Sequence, residues 1–361
     1  MRLSQKCRDV LSGQATGCKA ALIRFVLAIP AAFYKPIIHI RNASYDHGWK
    51  KAYKVSVPVF CVGNLTVGGT GKTPMVIWIC RLLRRRGLKV AVLTRGYKAK
   101  NDQDNDETAL LRQALPDVPI VINPDRVAGA RQAIAEHNAK VLVLDDGFQH
   151  RRLARDLDIV MIDCTCPFGY DHILPRGLLR ESKTQLRRAH VAVLSRCDMI
   201  ENDELAQLQT QIEQLLQNPK DKSELPPKLI VHSQHQPVAL LASNGSKHPP
   251  EELQGKKVFA FCGIGNPQAF EDTLTELGGD LIGHYLFSDH YVYDDLDANL
   301  LRDWRSQYNA DWLVTTEKDW VKLKDIPPIA SIKELFWLKI ETRITQGKEE
   351  LGRTILKILE K

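Results

Sequence analysis

The chain has 361 residues, 44% hydrophobic and 26% charged, so it is long enough for two globular domains and is not disordered or fibrous. Its net charge of +7 is uneven: the first 60 residues carry ten Lys and Arg against Asp9 and Asp46, and the rest is nearly neutral. This excludes a uniformly basic nucleic-acid binder. The eight cysteines include no Cys-x-x-Cys pair, which argues against a zinc site and for reduced thiols in the cytosol.

The first predicted element is an amphipathic helix in the basic N-terminal segment. Its apolar residues recur at helical spacing: Leu22, Val26, Ile29, Phe33, Ile37 and Ile40. The longest uncharged run, residues 25–34, is too short to span a bilayer, and no convincing small-residue cleavage site follows. The pattern favours a helix in the interface of an anionic membrane. A helix kinked at Pro30 and packed on the protein's own core is the alternative.

A glycine-rich loop follows the apolar run 57–62 and precedes a helical pattern over 74–86. Its residues are Thr66, Val67, Gly68, Gly69, Thr70, Gly71, Lys72 and Thr73. This order predicts a phosphate-binding P-loop, although Thr66 stands where glycine is expected. Glycines let backbone N–H groups turn inward around a polyphosphate, and the helix N-terminus adds positive charge. Lys72 is expected to reach the outer phosphates and Thr73 to bind Mg²⁺.

Short apolar runs alternate with helical patterns beyond this loop. The runs cover residues 90–93, 118–122, 141–144, 159–162 and 191–194. The alternation predicts an α/β fold with a parallel, doubly wound sheet. Residues 217–228 are polar and contain prolines, as is typical of a linker. We therefore expect a membrane-associated helix and P-loop domain over residues 1–225, and a smaller α/β domain over residues 226–361.

Two acids end the apolar run 141–144. In P-loop proteins a carboxylate at a strand end helps to hold Mg²⁺, and of Asp145 and Asp146 we favour Asp146. Gln149 and His150 follow, together with two arginines, and these side chains are expected beside the predicted metal. The alternative is that this segment is a solvated turn. Residues 195–198 (SRCD) depart from the guanine-reading motif of GTPases at its first two positions, so they do not predict GTP binding.

A catalytic base is the remaining requirement of phosphoryl transfer to a hydroxyl group. Asp106 begins a predicted helix, and His290 follows Asp289 in the second domain. A carboxylate and an imidazole from two regions could meet and act as a pair. Alternatively, Asp106 is a helix N-terminal charge, His290 a core histidine and Asp289 a helix cap.

Eight blocks, which together span most of the chain in order, carry a family resemblance. They are residues 63–74 (GNLTVGGTGKTP), 94–97 (TRGY), 145–150 (DDGFQH), 155–158 (RDLD), 174–181 (LPRGLLRE), 261–267 (FCGIGNP), 287–290 (FSDH) and 315–319 (TTEKD). The chain thereby resembles the tetraacyldisaccharide 4′-kinases, the lipid A 4′-kinases of Gram-negative bacteria. Thr66 at the first P-loop position fits the pattern of this family.

The resemblance implies an enzyme that uses ATP and Mg²⁺ to phosphorylate the 4′-hydroxyl of a tetraacylated glucosamine disaccharide 1-phosphate. It implies a P-loop NTPase-type α/β/α sandwich and a smaller α/β/α domain that closes over the active site. An N-terminal amphipathic helix would lie on the cytoplasmic face of the inner membrane. Neither nucleic acid nor an obligate protein partner is expected. The rival functions are a P-loop GTPase or metallochaperone-type NTPase, and a membrane-recruited ATP switch.

The resemblance also implies roles for individual residues. Asp106 would be the base, tuned by His290, with Lys72 and Asp146 completing the catalytic set. Thr73, Asp146 and Glu181 would hold the metal. The substrate contacts would be Asn64, Gln149, His150 and Arg180.

Two positions depart from the family pattern. Residues 105–108 are Asn-Asp-Glu-Thr where the family usually has Gly-Asp-Glu-Pro, so Asp102 and Asp104 remain alternatives for the base. Arg176 replaces a residue that is usually small or apolar, which affects the substrate contacts expected from that loop.

Overall fold

The structure, a computed structural model, describes residues 5–96, 106–217, 228–288 and 291–360. These residues form two compact units. The P-loop unit comprises residues 5–96, 115–217, 228–234 and 342–360, and the second unit comprises residues 106–114, 235–288 and 291–341. The predicted domain boundary at residues 225/226 lies outside the described residues, so that division stays a prediction.

The described residues contain twelve strands. They are β1 (Val59–Asn64), β2 (Val90–Thr94), β3 (Ile120–Ile122), β4 (Val141–Asp145), β5 (Leu157–Asp163), β6 (Val191–Ser195), β7 (Leu229–Ala242), β8 (Lys247–His248), β9 (Lys257–Cys262), β10 (Asp280–Leu286), β11 (Trp312–Thr316) and β12 (Leu335–Gln346). Residues 106–114 belong to the second unit although the segments on both sides of them in sequence belong to the P-loop unit, and the chain passes between the units again within β7 and within β12.

Eleven α-helices accompany these strands in the described residues. They are α1 (Gln5–Ser12), α2 (Cys18–Asp46), α3 (Lys72–Arg85), α4 (Asp106–Ala114), α5 (Arg126–His137), α6 (Asn202–Leu216), α7 (Pro267–Glu276), α8 (Asp295–Gln307), α9 (Glu317–Leu323), α10 (Pro327–Ala330) and α11 (Lys348–Leu359). Polar side chains fix several of their starts: Asp125 caps α5, and Asp294 and Asp297 form a capping box on α8.

The sheet of the P-loop unit is parallel throughout. Its strands pair in the order β7-β6-β5-β1-β4-β2-β3. Every residue of β1, β2, β4 and β6 is buried, which explains why these strands are continuous apolar runs rather than alternating ones. The predicted α/β fold with a parallel sheet is confirmed.

The strand order determines where a ligand site can form. From β1 the sheet extends through β4, β2 and β3 on one side and through β5, β6 and β7 on the other. In such sheets ligands bind outside the carboxyl ends of the strands, at the point where the order reverses. Val62 of β1 pairs with Asp145 of β4, so the P-loop after β1 and the acids at the end of β4 lie at the same edge of the sheet.

The second unit is also α/β. Its strands β10, β9, β11 and β12 pair in that order and in parallel, and β8 is antiparallel to the end of β7. Its core includes Trp320 and Trp337, whose rings stack with centroids 4.2 Å apart. The early helix α4 packs here against α9, which places Asp106 in the second unit.

Candidate active site

The P-loop joins β1 to α3 with an open backbone. Gly71, the N-cap of α3, has φ 88°, and Gly68 has φ 123°, both in the left-handed region that favours glycine. No described atom outside the neighbouring residues lies within 4 Å of a Cβ built on Gly68 or Gly69. Because α3 begins at Lys72, its unpaired N–H groups and positive dipole end lie at this loop. The loop therefore has the space and the polarity that an anion requires.

Side chains at the ends of β1 and β6 brace the loop. The Asn64 amide donates to the Thr70 hydroxyl at 3.1 Å, and the Ser195 hydroxyl donates to the Thr70 carbonyl at 3.0 Å. Arg196 donates to the Gly69 carbonyl at 3.0 Å. Residues 195–196, where the sequence departs from a guanine-reading motif, thus hold the phosphate loop in shape.

A carboxylate lies between two cations beside the P-loop. Lys72 Nζ is 3.6 Å from Asp146 Oδ1, and Arg180 Nη1 is 2.9 Å from both Asp146 oxygens. Burial opposes ionisation of Asp146, but the charges of Lys72 and Arg180 outweigh it and hold its pKa below the usual value. The site therefore presents an ionised carboxylate near neutral pH.

The two acids at the end of β4 have different positions. Asp145 is the last residue of the strand and is buried. Asp146, at φ 53°, starts the turn that carries its side chain to Lys72. A Cβ on Gly63 would lie 2.5 Å from the Cβ of Phe148, so glycine at the end of β1 lets this turn approach closely. The structure thus places Asp146, the residue favoured from sequence, beside the P-loop lysine.

Glu181 is the centre of a buried cluster next to this site. Its Oε2 accepts from Asn42 of α2 at 2.9 Å, and its Oε1 accepts from Gln149 at 2.9 Å and from Arg188 at 2.7 Å. Gln149 also donates to the Asn64 carbonyl at 2.9 Å. The cluster therefore joins helix α2 to the β1 end of the nucleotide site.

Asn42→Ala is expected to lower the free energy of unfolding by about 1–3 kcal/mol, because Glu181 loses a donor while it stays buried. Urea unfolding in detergent, followed by circular dichroism, measures this loss. Asn202→Ala, at an exposed position on α6, is the control and should change stability by less than about 0.5 kcal/mol. Equal stabilities of the Asn42→Ala variant and the wild type would contradict this structural role.

His150 is a neutral imidazole at the edge of the cluster. Burial, together with the charges of Arg126 and Arg155, lowers the pKa of His150 to about 4. Its Nε2 has no hydrogen-bond partner among the described residues. His150 is therefore uncharged at physiological pH.

Asp106 is the first residue of α4, and two lysines of α9 lie close to its carboxylate. Lys322 Nζ is 3.1 Å from Asp106 Oδ2, and Lys318 Nζ is 3.8 Å from the same oxygen. Three other residues considered for the catalytic pair or the base lie outside the described residues: Asp102, Asp104 and His290.

Helix α2 exposes its apolar stripe. Phe25 is 67% exposed and Phe33 is 71% exposed, so the alternative of a helix packed on the protein's own core is wrong for this face. The C-terminal half of α2 is hydrogen-bonded to the rest of the P-loop unit: Tyr34 donates to the Arg180 carbonyl at 3.2 Å and Arg41 to the Gln149 carbonyl at 2.7 Å. Among the described residues, α2 alone has the length and composition of a membrane-crossing helix.

Arg176, one of the two departures from the family pattern, contacts the N-terminal region. Its guanidinium donates to the Leu11 carbonyl of α1 at 2.9 Å. Arg24 of α2 donates to carbonyls of the same region, Val10 and Ala15. The contact with the Leu11 carbonyl explains why an arginine stands at position 176, and this explanation requires no ligand.

Taken together, the P-loop unit has the parts of a nucleotide site. An open glycine loop and a helix N-terminus suit phosphate oxygens. Lys72 supplies a positive charge beside the loop, and Thr73 and Asp146 supply the oxygen ligands that Mg²⁺ prefers. The sequence did not predict the bracing by Ser195 and Arg196, since hydrogen bonds between distant segments leave no local pattern.

The family model described as tetraacyldisaccharide-1-P 4′-kinase matches residues 23–360. The chain is 34% identical to the tetraacyldisaccharide 4′-kinase of Syntrophus aciditrophicus, over 96% of each chain. It is 35% identical to that of Geobacter sulfurreducens, over 91% of this chain and 94% of the relative. It is also similar to a crystal structure of LpxK from Aquifex aeolicus in complex with ATP, with a TM-score of 0.69, 30% identity, and coverage of 93% of this chain and 99% of that chain.

Proposed function

Since this chain belongs to the tetraacyldisaccharide-1-P 4′-kinase family, we propose that it transfers the γ-phosphoryl group of ATP to the 4′-hydroxyl of a tetraacylated glucosamine disaccharide 1-phosphate, a step of lipid A biosynthesis. The observation that carries this proposal is the open P-loop at the N-terminus of α3, with Lys72 beside the ionised Asp146. It supports a nucleotide phosphotransferase, and the family supplies the lipid acceptor.

ATP and Mg²⁺ fit the residues of the P-loop unit. Residues 66–73 would surround the phosphates, as the open space at Gly68 and Gly69 allows. Thr73 and Asp146 would hold Mg²⁺, which neutralises negative charge on phosphate oxygens when bound. Glu181 belongs to the proposed metal set as well, although both its oxygens accept hydrogen bonds from Asn42, Gln149 and Arg188.

The chain's own side chains would act mainly by position and charge. Lys72 would stabilise the charge that develops on the transferred phosphoryl group. Asp106 would accept the proton of the attacking sugar hydroxyl, with His290 tuning its basicity. Asn64, Gln149, His150 and Arg180 would contact the disaccharide, and the neutral imidazole of His150 suits a sugar hydroxyl.

The acceptor carries acyl chains, so the enzyme would work at a membrane. We propose that α2 lies in the interface on the cytoplasmic face of the inner membrane. The hydrogen bonds of Tyr34 and Arg41 hold the C-terminal half of α2, and the part of the helix before Tyr34, residues 18–33, corresponds to roughly 24 Å. That is shorter than the ~30 Å hydrocarbon core of a bilayer. The exposed apolar stripe and the basic residues around it suit interfacial binding.

Combined replacement of Phe25, Ile29 and Phe33 by serine is expected to weaken vesicle binding at least about tenfold, because each large apolar side chain contributes about 1.5–3 kcal/mol when buried. Co-sedimentation with phosphatidylethanolamine–phosphatidylglycerol vesicles measures the effect. Val292 and Leu296 are exposed apolar residues outside α2. Their replacement by serine is the control and should leave vesicle binding unchanged. Unchanged binding of the α2 variant would contradict the proposed membrane helix.

An acceptor-dependence assay tests the proposed activity against its rivals. ADP formation from ATP, measured in detergent micelles, should rise at least about tenfold on addition of tetraacyldisaccharide 1-phosphate, and GTP should compete poorly. A GTPase or metallochaperone-type NTPase would prefer GTP and ignore the lipid. An ATP switch would hydrolyse ATP slowly, with or without acceptor.

A further inference from the structure

A buried polar cluster surrounds Asp106 in the second unit. Lys322 Nζ lies 3.1 Å from Asp106 Oδ2 and 3.4 Å from Asp319 Oδ1. The side chains of Asp106 and Lys322 are only 14% and 13% exposed, so this is not a solvated surface ion pair. The ammonium of Lys322 therefore bridges two carboxylates inside the unit.

Asp319 is the fixed end of this bridge. It is fully buried, and its Oδ2 accepts from the Gly263 N–H at 2.9 Å and from the Thr316 hydroxyl at 2.7 Å. Its Oδ1 accepts from the Tyr293 hydroxyl at 3.1 Å. Burial, and then the charge of Asp319, raises the pKa of Tyr293, so this hydroxyl stays protonated and keeps donating. Such a well-bonded carboxylate is a rigid anchor for Lys322.

Other contacts also restrict where the ammonium of Lys322 can lie. It donates to the Tyr291 carbonyl at 3.5 Å and lies 5.7 Å from the centroid of the Tyr293 ring. Lys322 is on α9 and Asp106 is on α4, and these two helices pack together. The lysine is therefore held in one place, and its charge acts on Asp106 at short range.

We propose that Lys322 is a positioning residue for the catalytic base: anchored by Asp319, it keeps the Asp106 carboxylate ionised and holds it in one orientation. The inference rests on the proposed function, in which Asp106 accepts the proton of the acceptor hydroxyl. An ionised carboxylate is the only form that can accept that proton, so the lysine extends the pH range of activity toward acid.

The other charged groups around Asp106 determine how strongly Lys322 favours its ionised form. The charged and titratable side chains of the described segments here are Glu317, Lys318, Asp319 and Lys322 on α9, Glu107 and Arg112 on α4, Tyr291, Tyr293 and Asp294 before α8, and Asp297 of α8, which accepts from the Tyr291 hydroxyl. Among them, Lys322 is closer than Lys318 to Asp106 Oδ2, at 3.1 Å against 3.8 Å. Removal of Lys322 should therefore disfavour the ionised form of Asp106 more than removal of Lys318 does.

The test is the pH dependence of kcat for lipid phosphorylation, measured with saturating ATP in detergent micelles from pH 3 to 9, a range that includes the ordinary aspartate pKa of about 3.9. Lys322→Met should move the acidic limb of the profile up by about 1 pH unit, so that kcat falls about tenfold at acidic pH and recovers at high pH. Lys322→Arg should retain the acidic limb of the wild-type profile, because it keeps the positive charge. Lys318→Met should give a smaller shift in the same direction, and it serves as the test if Lys322→Met does not fold.

Lys324→Met, at the exposed end of α9, is the matched control and should leave the profile unchanged. An equal loss of kcat at every pH, or an unshifted limb in both Lys322→Met and Lys318→Met, would overturn the inference. The Asp106→Asn variant distinguishes failure of the proposed base from failure of the proposed role of Lys322. If that variant keeps full kcat, both the proposed base and this inference fail, whereas a large loss with unshifted lysine variants removes the inference alone.

Discussion

Replacement of Lys72 by methionine is expected to lower kcat for lipid phosphorylation by about 10²- to 10³-fold, the usual effect of removing one preorganised charge from a transition state. Lys72 is buried at the first turn of α3 and lies 3.6 Å from Asp146, so no bulk solvent replaces its charge. Steady-state kinetics with saturating acceptor and varied ATP measure the loss.

Lys89→Met is the matched control for this variant. Lys89 is an exposed lysine of the same unit, just before β2, and its replacement should leave kcat within about twofold of the wild type. If the Lys72→Met variant kept more than a tenth of the wild-type kcat, the phosphate-binding role of this P-loop would be contradicted.

Asp106→Asn is expected to lower kcat by about 10²- to 10⁴-fold, the range that general-base catalysis contributes. The amide has nearly the shape of the carboxylate but cannot accept the proton of the sugar hydroxyl. The KM for ATP should change little, because the phosphate loop and Asp146 belong to the P-loop unit and not to the unit that carries Asp106. Both parameters come from one set of initial-rate measurements.

Asp303→Asn, on the exposed face of α8 in the same unit, is the control and should behave as the wild type. Full activity of the Asp106→Asn variant would move the base to Asp102 or Asp104, the neighbouring acids that the sequence left as alternatives. A rise in the KM for ATP with unchanged kcat would instead mean that Asp106 affects nucleotide binding.

The sequence was most informative where the chemistry is local. The P-loop could be predicted because glycines, a lysine and a hydroxyl must follow one another in fixed order between a strand and a helix. A metal-site acid could be predicted at residues 145–146, with Asp146 favoured, because P-loop proteins use a carboxylate at a strand end to hold Mg²⁺. In each case neighbouring residues in the chain carry the signal.

Contacts between distant segments could not be predicted in this way. The hydrogen bonds of Ser195 to Thr70 and of Asn42 to Glu181 join positions more than 100 residues apart. A serine at a strand end and an asparagine in a long helix are common, so neither residue has a distinguishing local pattern. Only the register of the folded strands and helices brings these partners together.

The N-terminal helix could be predicted only in part. Its apolar periodicity predicted an amphipathic helix, but periodicity cannot distinguish a membrane face from a core face. The exposure of Phe25 and Phe33 in the folded chain separates the two. The prolines at positions 30 and 36 both lie inside α2, and the helix continues past each of them.

The most direct test of the account is the structure of the product formed by the wild-type chain from ATP and tetraacyldisaccharide 1-phosphate. Tandem mass spectrometry and phosphorus NMR of the purified lipid locate the new phosphate. We predict one added phosphate, on the 4′-oxygen of the distal glucosamine, formed in equal amount with ADP. A product phosphorylated elsewhere would contradict the proposed acceptor hydroxyl, and ADP formation with an unchanged lipid would contradict the kinase itself.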